Sequence, residues 1–170
     1  MRCARTGLHF SDPGEGVWDD GEWISWEWIN GQIADQELRE QYPLADPPIV
    51  CIFDDLVDLA QAYFQITGRY LQIWGELGEL YAEVQFGVKR HRPGVAGSDG
   101  RIGNDWIEVK TISPEKLTNT THVKRAGNFN KLLVVRISEE FEFEARLIDR
   151  AALGKGPGKL AKYHWHDNQK

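Results

Sequence analysis

The stretch GSDGRIGNDWIEVKTI, residues 97–112, determines the fold expected of this chain. Two predicted strands, 98–102 and 106–112, flank the turn-rich tripeptide Gly103-Asn104-Asp105. Such a pattern predicts a β-hairpin. The rest of the chain is interpreted from this hairpin outward.

The hairpin carries charged residues that would meet on one side of the sheet. Side chains alternate along a strand, so Glu108 and Lys110 should share one side while Val109 points into the core. If the strands pair through the short turn, Asp99 comes alongside Glu108. Two carboxylates and a backbone carbonyl, that of Val109, could then hold Mg²⁺, with Mn²⁺ as a possible substitute. Lys110 would orient or help to deprotonate a water for phosphodiester hydrolysis.

A simpler interpretation of these residues also exists. Asp99, Glu108 and Lys110 could form a cross-strand salt bridge, and Asp99-Gly100 could serve only the turn. The setting favours the catalytic interpretation, since the acid-x-Lys triplet lies on an apolar strand downstream of a glutamate-rich helix.

Two amphipathic helices are predicted before the hairpin. Apolar spacing indicates one over residues 54–67, with Asp54 and Asp55 as cap and first-turn acids, and a second over residues 71–87. Glu76, Glu79 and Glu83 share roughly one face of the second helix. Glu76 or Glu79 could add a carboxylate to the cluster, although each could equally be a solvated surface residue.

Two further strands are predicted after the hairpin. Residues 132–137 form a continuous apolar run typical of a strand buried on both faces, and residues 141–148 alternate as a strand with one wet face. The polar residues 118–129 read as a loop, and the glycine-rich tail 154–170 as a loop with a short terminal strand at most. The fold class is therefore α/β, with a mixed central sheet flanked by helices.

The arrangement of these residues resembles the PD-(D/E)XK phosphodiesterase superfamily, over about residues 70 to 150. The matching features are Gly75-Glu76 and Glu79 on a helix, Asp99 on a strand, and Ile107-Glu108-Val109-Lys110 after a hairpin. Ser98 stands where the name motif has proline, and no amphipathic helix is visible between Ser113 and Lys131. The resemblance implies a restriction-endonuclease-like core and a Mg²⁺-dependent endonuclease acting on DNA. It also implies that Asp99 and Glu108 bind the metal, Lys110 serves the attacking water, and Glu76 or Glu79 assists.

The charge distribution bears on the partner. The formal charge is −6, but residues 1–83 carry 4 Lys/Arg against 16 Asp/Glu, and residues 84–170 carry 16 against 10. The basic half holds the Glu-x-Lys strand and could attract DNA. The side chains expected to contact phosphates are Lys89, Arg90, Arg92, Arg101, Lys124 and Arg125, with Lys155, Lys159 and Lys162 in the tail. His164 and His166 could bind a metal only if the tail is ordered.

Residues 1–48 form an acidic N-terminal extension that contains four of the seven tryptophans, and residues 49–170 the nuclease-like domain. Within the extension, residues 24–41 suggest a short strand leading into a helix. The extension could be a packing layer, or an arm that binds a protein partner or occupies the DNA site. Two alternatives to a nuclease remain: a catalytically inactive module that binds nucleic acid or a protein partner, such as an immunity-like or regulatory protein, and an acidic mimic of nucleic acid.

The location and assembly are also expectations. Only Cys3 and Cys51 are present, the start lacks the apolar core of a secretory signal, and no apolar run approaches the ~20 residues of a membrane helix. These features favour a cytoplasmic protein without membrane contact. A homodimer is possible, because two-fold symmetry suits the cutting of both duplex strands.

Overall fold

The computed structural model describes residues 1–95, 97–154 and 156–165. The contacts divide the chain into two compact units, Met1–Pro43 and Leu44–Lys170. In the described part of the chain, no helix is both long enough and apolar enough to cross a membrane.

The first unit is a small hairpin followed by a helix. Strands β1 (Gly16–Asp19) and β2 (Glu22–Ser25) pair antiparallel across Asp20 and Gly21, which both have positive φ as a tight hairpin turn requires. Helix α1 (Trp26–Gln41) follows at once, because Ser25 accepts a hydrogen bond from the backbone N–H of Trp28 as N-cap. The predicted strand leading into a helix is confirmed.

The second unit begins with helices α2 (Pro47–Thr67) and α3 (Trp74–Phe86), which confirm the two predicted helices but not their starts. Helix α2 starts seven residues before Asp54, because Pro47 and Pro48 occupy its first turn, where prolines are tolerated. Asp54 is therefore inside the helix and not a cap. Gly68 and Gly87, both at φ 65°, end the two helices.

A mixed five-stranded sheet forms the centre of the second unit. Its strands, in the order in which they lie side by side, are β3 (Lys89–Arg90), β4 (Gly100–Ile102), β5 (Asp105–Ile112), β7 (Lys131–Ile137) and β8 (Phe143–Asp149). The β4–β5 hairpin pairs Gly100 with Ile107, as predicted. Strand β5 runs parallel to β7, and the other neighbouring pairs are antiparallel. The predicted mixed α/β architecture with a mixed central sheet is confirmed.

The segment between β5 and β7 corrects one prediction. Within the polar stretch predicted as a loop lies strand β6 (Thr120–Lys124), which pairs with β9 (Leu160–His164) in a separate two-stranded sheet. Thr121 and Val123 are buried, and alternation with exposed residues keeps this strand polar in sequence. Ile112, Leu132 and Trp165 join Val123 in the core beneath this small sheet. The small β6–β9 sheet therefore covers this face of the central sheet, and helix α3 packs on the opposite face.

The start of β8 also differs from the prediction. Phe141 has φ 62° and lies outside the strand, which begins at Phe143. Its ring is turned toward the helices, where it contacts Phe64, Tyr70 and Trp74. Aromatic packing against α2 and α3 thus decides the path of the chain here.

Helix α3 packs against β5 at a point that only glycine allows. A Cβ added at Gly78 would lie 2.0 Å from the Oγ1 atom of Thr111. Thr111 and Val109 alternate with Lys110 and thus face the helix, while Lys110 and Glu108 face the opposite side of the sheet. This close contact brings the glutamates of α3 near the part of β5 beside which the hairpin places Asp99.

Candidate active site

Asp99 is held at the point where β4 begins. Its backbone N–H donates to the carbonyl of Ile107, and its own carbonyl accepts from the N–H of His91. Its Oδ2 accepts a 2.7 Å hydrogen bond from the backbone N–H of Val109. Strand β4 starts only at Gly100, so this N–H lies beyond the paired part of the hairpin. The carboxylate satisfies it and is fixed beside Glu108 and Lys110.

The ammonium group of Lys110 lies among three oxygen atoms. Its Nζ is 2.6 Å from Oε1 of Glu108 and 2.9 Å from the carbonyl oxygen of Val109, and it is 3.9 Å from Oδ2 of Asp99. These oxygens belong to the three residues that the sequence analysis proposed as metal ligands. The structure thus brings Asp99, Glu108, Val109 and Lys110 together, with a cation at the point where the oxygens converge.

Helix α3 contributes its glutamates unequally. Arg90 pairs with Glu76 at 2.6 Å and with Glu83 at 2.7 Å. Glu76 is thereby turned toward β3, and its side chain is 56% exposed. Glu79 makes no such pair among the described residues. The geometry therefore favours Glu79 over Glu76 as the additional carboxylate.

Burial raises the pKa of the Glu79 carboxyl above its ordinary value. The negative charges of Asp99 and Glu76 raise this pKa further, and the positive charges of Arg90 and Lys110 oppose the increase. Two of these influences, Asp99 and Lys110, come from the cluster on the hairpin. Glu79 therefore belongs electrostatically to the same site.

The donor set suits a hard divalent cation. Two carboxylates and a backbone carbonyl are the oxygen ligands that Mg²⁺ takes, with waters filling its other positions. Among the described residues, no group of three or more His, Cys, Asp or Glu side chains could by itself hold a metal ion. A metal here would therefore depend on the Val109 carbonyl in addition to Asp99 and Glu108, and Lys110 would have to move aside.

Two grooves include Asp99 in their lining. One, of about 340 Å³, is also lined by Glu79 and His91 among others, and the second, of about 450 Å³, by Glu108 and Lys124. Asp99 is therefore accessible from both grooves, and Glu79 and Glu108 each from one.

The basic residues proposed to contact phosphates divide into two groups. Lys89, Arg92, Arg101 and Lys124 are exposed near the hairpin or its grooves. The other two, Arg90 and Arg125, are engaged within the fold: Arg90 pairs with the α3 glutamates, and the guanidinium of Arg125 donates to the carbonyl of Gly154 at 2.5 Å. For these two, a phosphate contact stays a prediction that competes with structural partners.

In the tail, Lys159, Lys162 and His164 are exposed, the last two on β9. Lys155 and His166 lie outside the described residues. The predicted His-x-His metal site therefore stays a prediction.

Two rings beside the site, those of His91 and Trp106, were not among the predicted site residues. The Nε2 atom of His91 lies 3.2 Å from Oγ of Ser98, and the His91 ring contacts that of Trp106 at 5.3 Å between centroids. Trp106 could have been found, because it lies two residues before Glu108 and thus on the same side of β5. His91 has no such signal, since its position depends on how β3 pairs with β4.

No protein-family model matches the sequence, and no curated protein is significantly similar to it.

Proposed function

We propose that this protein is a Mg²⁺-dependent nuclease of the PD-(D/E)XK type that hydrolyses phosphodiester bonds in DNA. The observation that carries the proposal is the convergence of three oxygens, from Asp99, Glu108 and Val109, on the ammonium of Lys110. A salt bridge alone would need one carboxylate. Two carboxylates and a carbonyl arranged around a single cation are what a divalent metal site requires.

The charge of the cluster supports the same conclusion. With Glu79, the site has three carboxyl groups against one ammonium, so a phosphodiester would be repelled unless a cation neutralises them. When bound, Mg²⁺ would polarise a phosphoryl oxygen and lower the pKa of a coordinated water. Asp99, Glu108 and the Val109 carbonyl would hold it.

The protein side chains would then have separate tasks. Displaced from the oxygens, the Lys110 ammonium would hydrogen-bond the attacking water and stabilise negative charge on the phosphate. Glu79, whose pKa is raised by burial and by Asp99, is suited to accept or hold a proton near the site. The exposed Lys89, Arg92, Arg101 and Lys124 would bind flanking phosphates.

Other features fit this proposal. The helix before the hairpin and the parallel β5–β7 pair are compatible with a restriction-endonuclease-like core, although a strand replaces the helix that the superfamily has between them. Both cysteines, Cys3 and Cys51, are free thiols, in keeping with a reducing cytoplasm. A homodimer and a protein partner for the acidic, tryptophan-rich N-terminal extension remain parts of the proposal.

Digestion of two circular DNAs, a duplex plasmid and a single-stranded circle, tests the proposal. Wild-type protein should cut at least one of them with Mg²⁺ or Mn²⁺ and not with EDTA, and on that substrate Asp99→Asn and Lys110→Ala should each reduce the rate by about 100-fold or more. Lys131→Ala is a matched control, because this lysine lies on β7 and pairs with Asp105 and Asp149. Equal rates for wild type and Lys110→Ala would exclude this site as the nuclease centre.

A second candidate is a catalytically inactive module of the same fold that binds nucleic acid or a protein partner. It is favoured by the short contacts that already satisfy the Lys110 ammonium, since such a cluster is stable without metal. Calorimetric titration with Mn²⁺ separates the two candidates. Uptake that is lost in Asp99→Asn and Glu108→Gln supports the nuclease, and no uptake by the wild type supports the binding module.

A further inference from the structure

Three side chains form a row across the neighbouring strands β3, β4 and β5, starting from the β3 edge of the central sheet. Lys89 on β3 pairs with Arg101 on β4, and Arg101 pairs with Trp106 on β5. Residues directly opposite each other in antiparallel strands project from the same face. Lys89, Arg101 and Trp106 therefore form a continuous row, called here the Lys–Arg–Trp row.

The row lies next to the candidate active site on the same face of the sheet. Trp106, Glu108 and Lys110 alternate along β5, so all three project to one side. Two residues of a strand span about 7 Å. Successive phosphates in a stretched single strand are separated by a comparable distance. A nucleotide stacked on Trp106 would therefore place a neighbouring phosphate near Glu108.

The three side chains of the row are accessible. Trp106 is 41% exposed, and Lys89 and Arg101 are exposed at the surface. Among the described residues, neither of these two cations forms an ion pair, in contrast to Arg90, which pairs with two glutamates of α3. Their charges are thus available to phosphates.

The backbone of Trp106 is anchored on both sides by Asn130. Its N–H donates to Oδ1 of Asn130 at 2.6 Å, and its carbonyl accepts from the N–H of Asn130 at 3.0 Å. The His91 ring is tilted against the indole, and Nε2 of His91 lies 3.2 Å from Oγ of Ser98. A large apolar ring on an anchored backbone, with a neighbouring ring on one side and partial exposure, loses little conformational freedom when a base stacks on it.

From this geometry we infer that the Lys–Arg–Trp row binds an unpaired DNA strand, with a base stacked on Trp106 and phosphates on Lys89 and Arg101. The inference rests on the proposed function, and it assigns single-stranded DNA as the substrate class. An aromatic ring beside a row of cations is the arrangement that binds single strands without sequence preference. In a duplex the bases are paired and stacked on each other, so a ring on a sheet face cannot reach them.

Fluorescence anisotropy with a labelled oligothymidylate of about 20 nucleotides tests the inference, with the full chain in EDTA so that no cleavage occurs. Trp106→Ala should weaken binding roughly 5- to 150-fold, the effect of losing one stacked base, and Trp106→Phe should restore most of the affinity. Trp18→Ala is the matched control, because Trp18 is a tryptophan of the first unit that is 62% exposed. Circular dichroism would establish that each variant is folded.

Two further measurements use the same assay. Arg101→Ala should lower the slope of log affinity against log salt concentration by about 0.7, the contribution of one phosphate contact on a single strand. A duplex of the same length should bind more weakly than the single strand and should not respond to Trp106→Ala. An oligouridylate separates DNA from RNA, and tighter binding of the RNA would overturn the assignment to DNA.

The inference is overturned if the wild type does not bind the oligothymidylate, if Trp106→Ala binds it as the wild type does, or if the duplex depends equally on Trp106. These results are distinguishable from failure of the proposed function. Trp106-dependent binding without Mg²⁺-dependent cleavage would overturn the nuclease and leave the single-strand site. Cleavage of duplex plasmid with no effect of Trp106→Ala on single-strand binding would do the reverse.

Discussion

Replacing Lys110 by alanine should tighten the binding of Mn²⁺ and Mg²⁺ while it abolishes the proposed nuclease activity. The Lys110 ammonium contacts Oε1 of Glu108 at 2.6 Å and the Val109 carbonyl at 2.9 Å, whereas Oδ2 of Asp99, at 3.9 Å, is beyond hydrogen-bond range. The same three oxygens are the proposed metal ligands. A metal ion can bind them only when the ammonium has left.

The size of the expected gain in Mn²⁺ affinity follows from the two short contacts of the Lys110 ammonium. The site is partly open to water, so together they contribute about 1 to 2 kcal/mol after solvent screening. Removing the competing ammonium should therefore lower the dissociation constant for Mn²⁺ roughly 5- to 30-fold. Lys131→Ala removes the same charge elsewhere on the sheet and should leave Mn²⁺ affinity nearly unchanged.

Isothermal titration calorimetry with Mn²⁺ measures both constants, and digestion of the circular DNA that the wild type cuts measures the activity of the same preparations. Unchanged or weaker Mn²⁺ binding by Lys110→Ala would refute the reasoning, because it would mean that the ammonium and the metal do not compete for one set of oxygens. Tighter binding together with lost cleavage would separate the role of Lys110 from that of the ligands.

Two predictions concern helix α3. Gly78→Ala should destabilise the protein by about 1 to 3 kcal/mol in urea denaturation, because the new Cβ would lie 2.0 Å from Thr111 Oγ1. Gly75→Ala, with open space around its Cβ, should be neutral or stabilising, and equal effects of the two changes would contradict the packing argument. Glu79→Gln should stabilise the protein at pH 7 to 8, since burial and Asp99 raise the pKa of Glu79 and folding therefore disfavours its charged form. The folded protein holds that proton more tightly than the unfolded chain, so the gain should shrink as pH falls and vanish below the ordinary glutamate pKa of about 4.3. A gain that grows toward acid pH in thermal denaturation would show that the sign is wrong.

Local sequence signals predicted the elements that are locally specified. The hairpin follows from the turn-rich Gly103-Asn104-Asp105 and the apolar run after it, and the helices follow from their apolar spacing. The start of α2 at Pro47 does not follow from that spacing, because the first turn of this helix is made by two prolines, which fit a first turn but cannot continue a helix. Strand β6 was missed because its partner, β9, lies far away in the sequence.

In the candidate site, too, some features follow from the local sequence and others depend on the tertiary structure. That Glu108 and Lys110 share one side of a strand follows from alternation alone, and the hairpin turn places Asp99 nearby. The choice between Glu76 and Glu79 does not follow from the helix, since both lie on roughly the same face. Arg90 makes that choice by pairing with Glu76, and it can do so only because β3 is adjacent to α3.

The sequence by itself therefore determined the α/β class, the hairpin and the pair of charges on its second strand, because the period of a strand and the chemistry of a turn act over a few residues. The tertiary structure decided which cations remain available, which glutamate joins Asp99, and that Lys89, Arg101 and Trp106 form one row. These features depend on strand pairing and on the close approach of α3 to β5, which bring together residues that no local pattern connects.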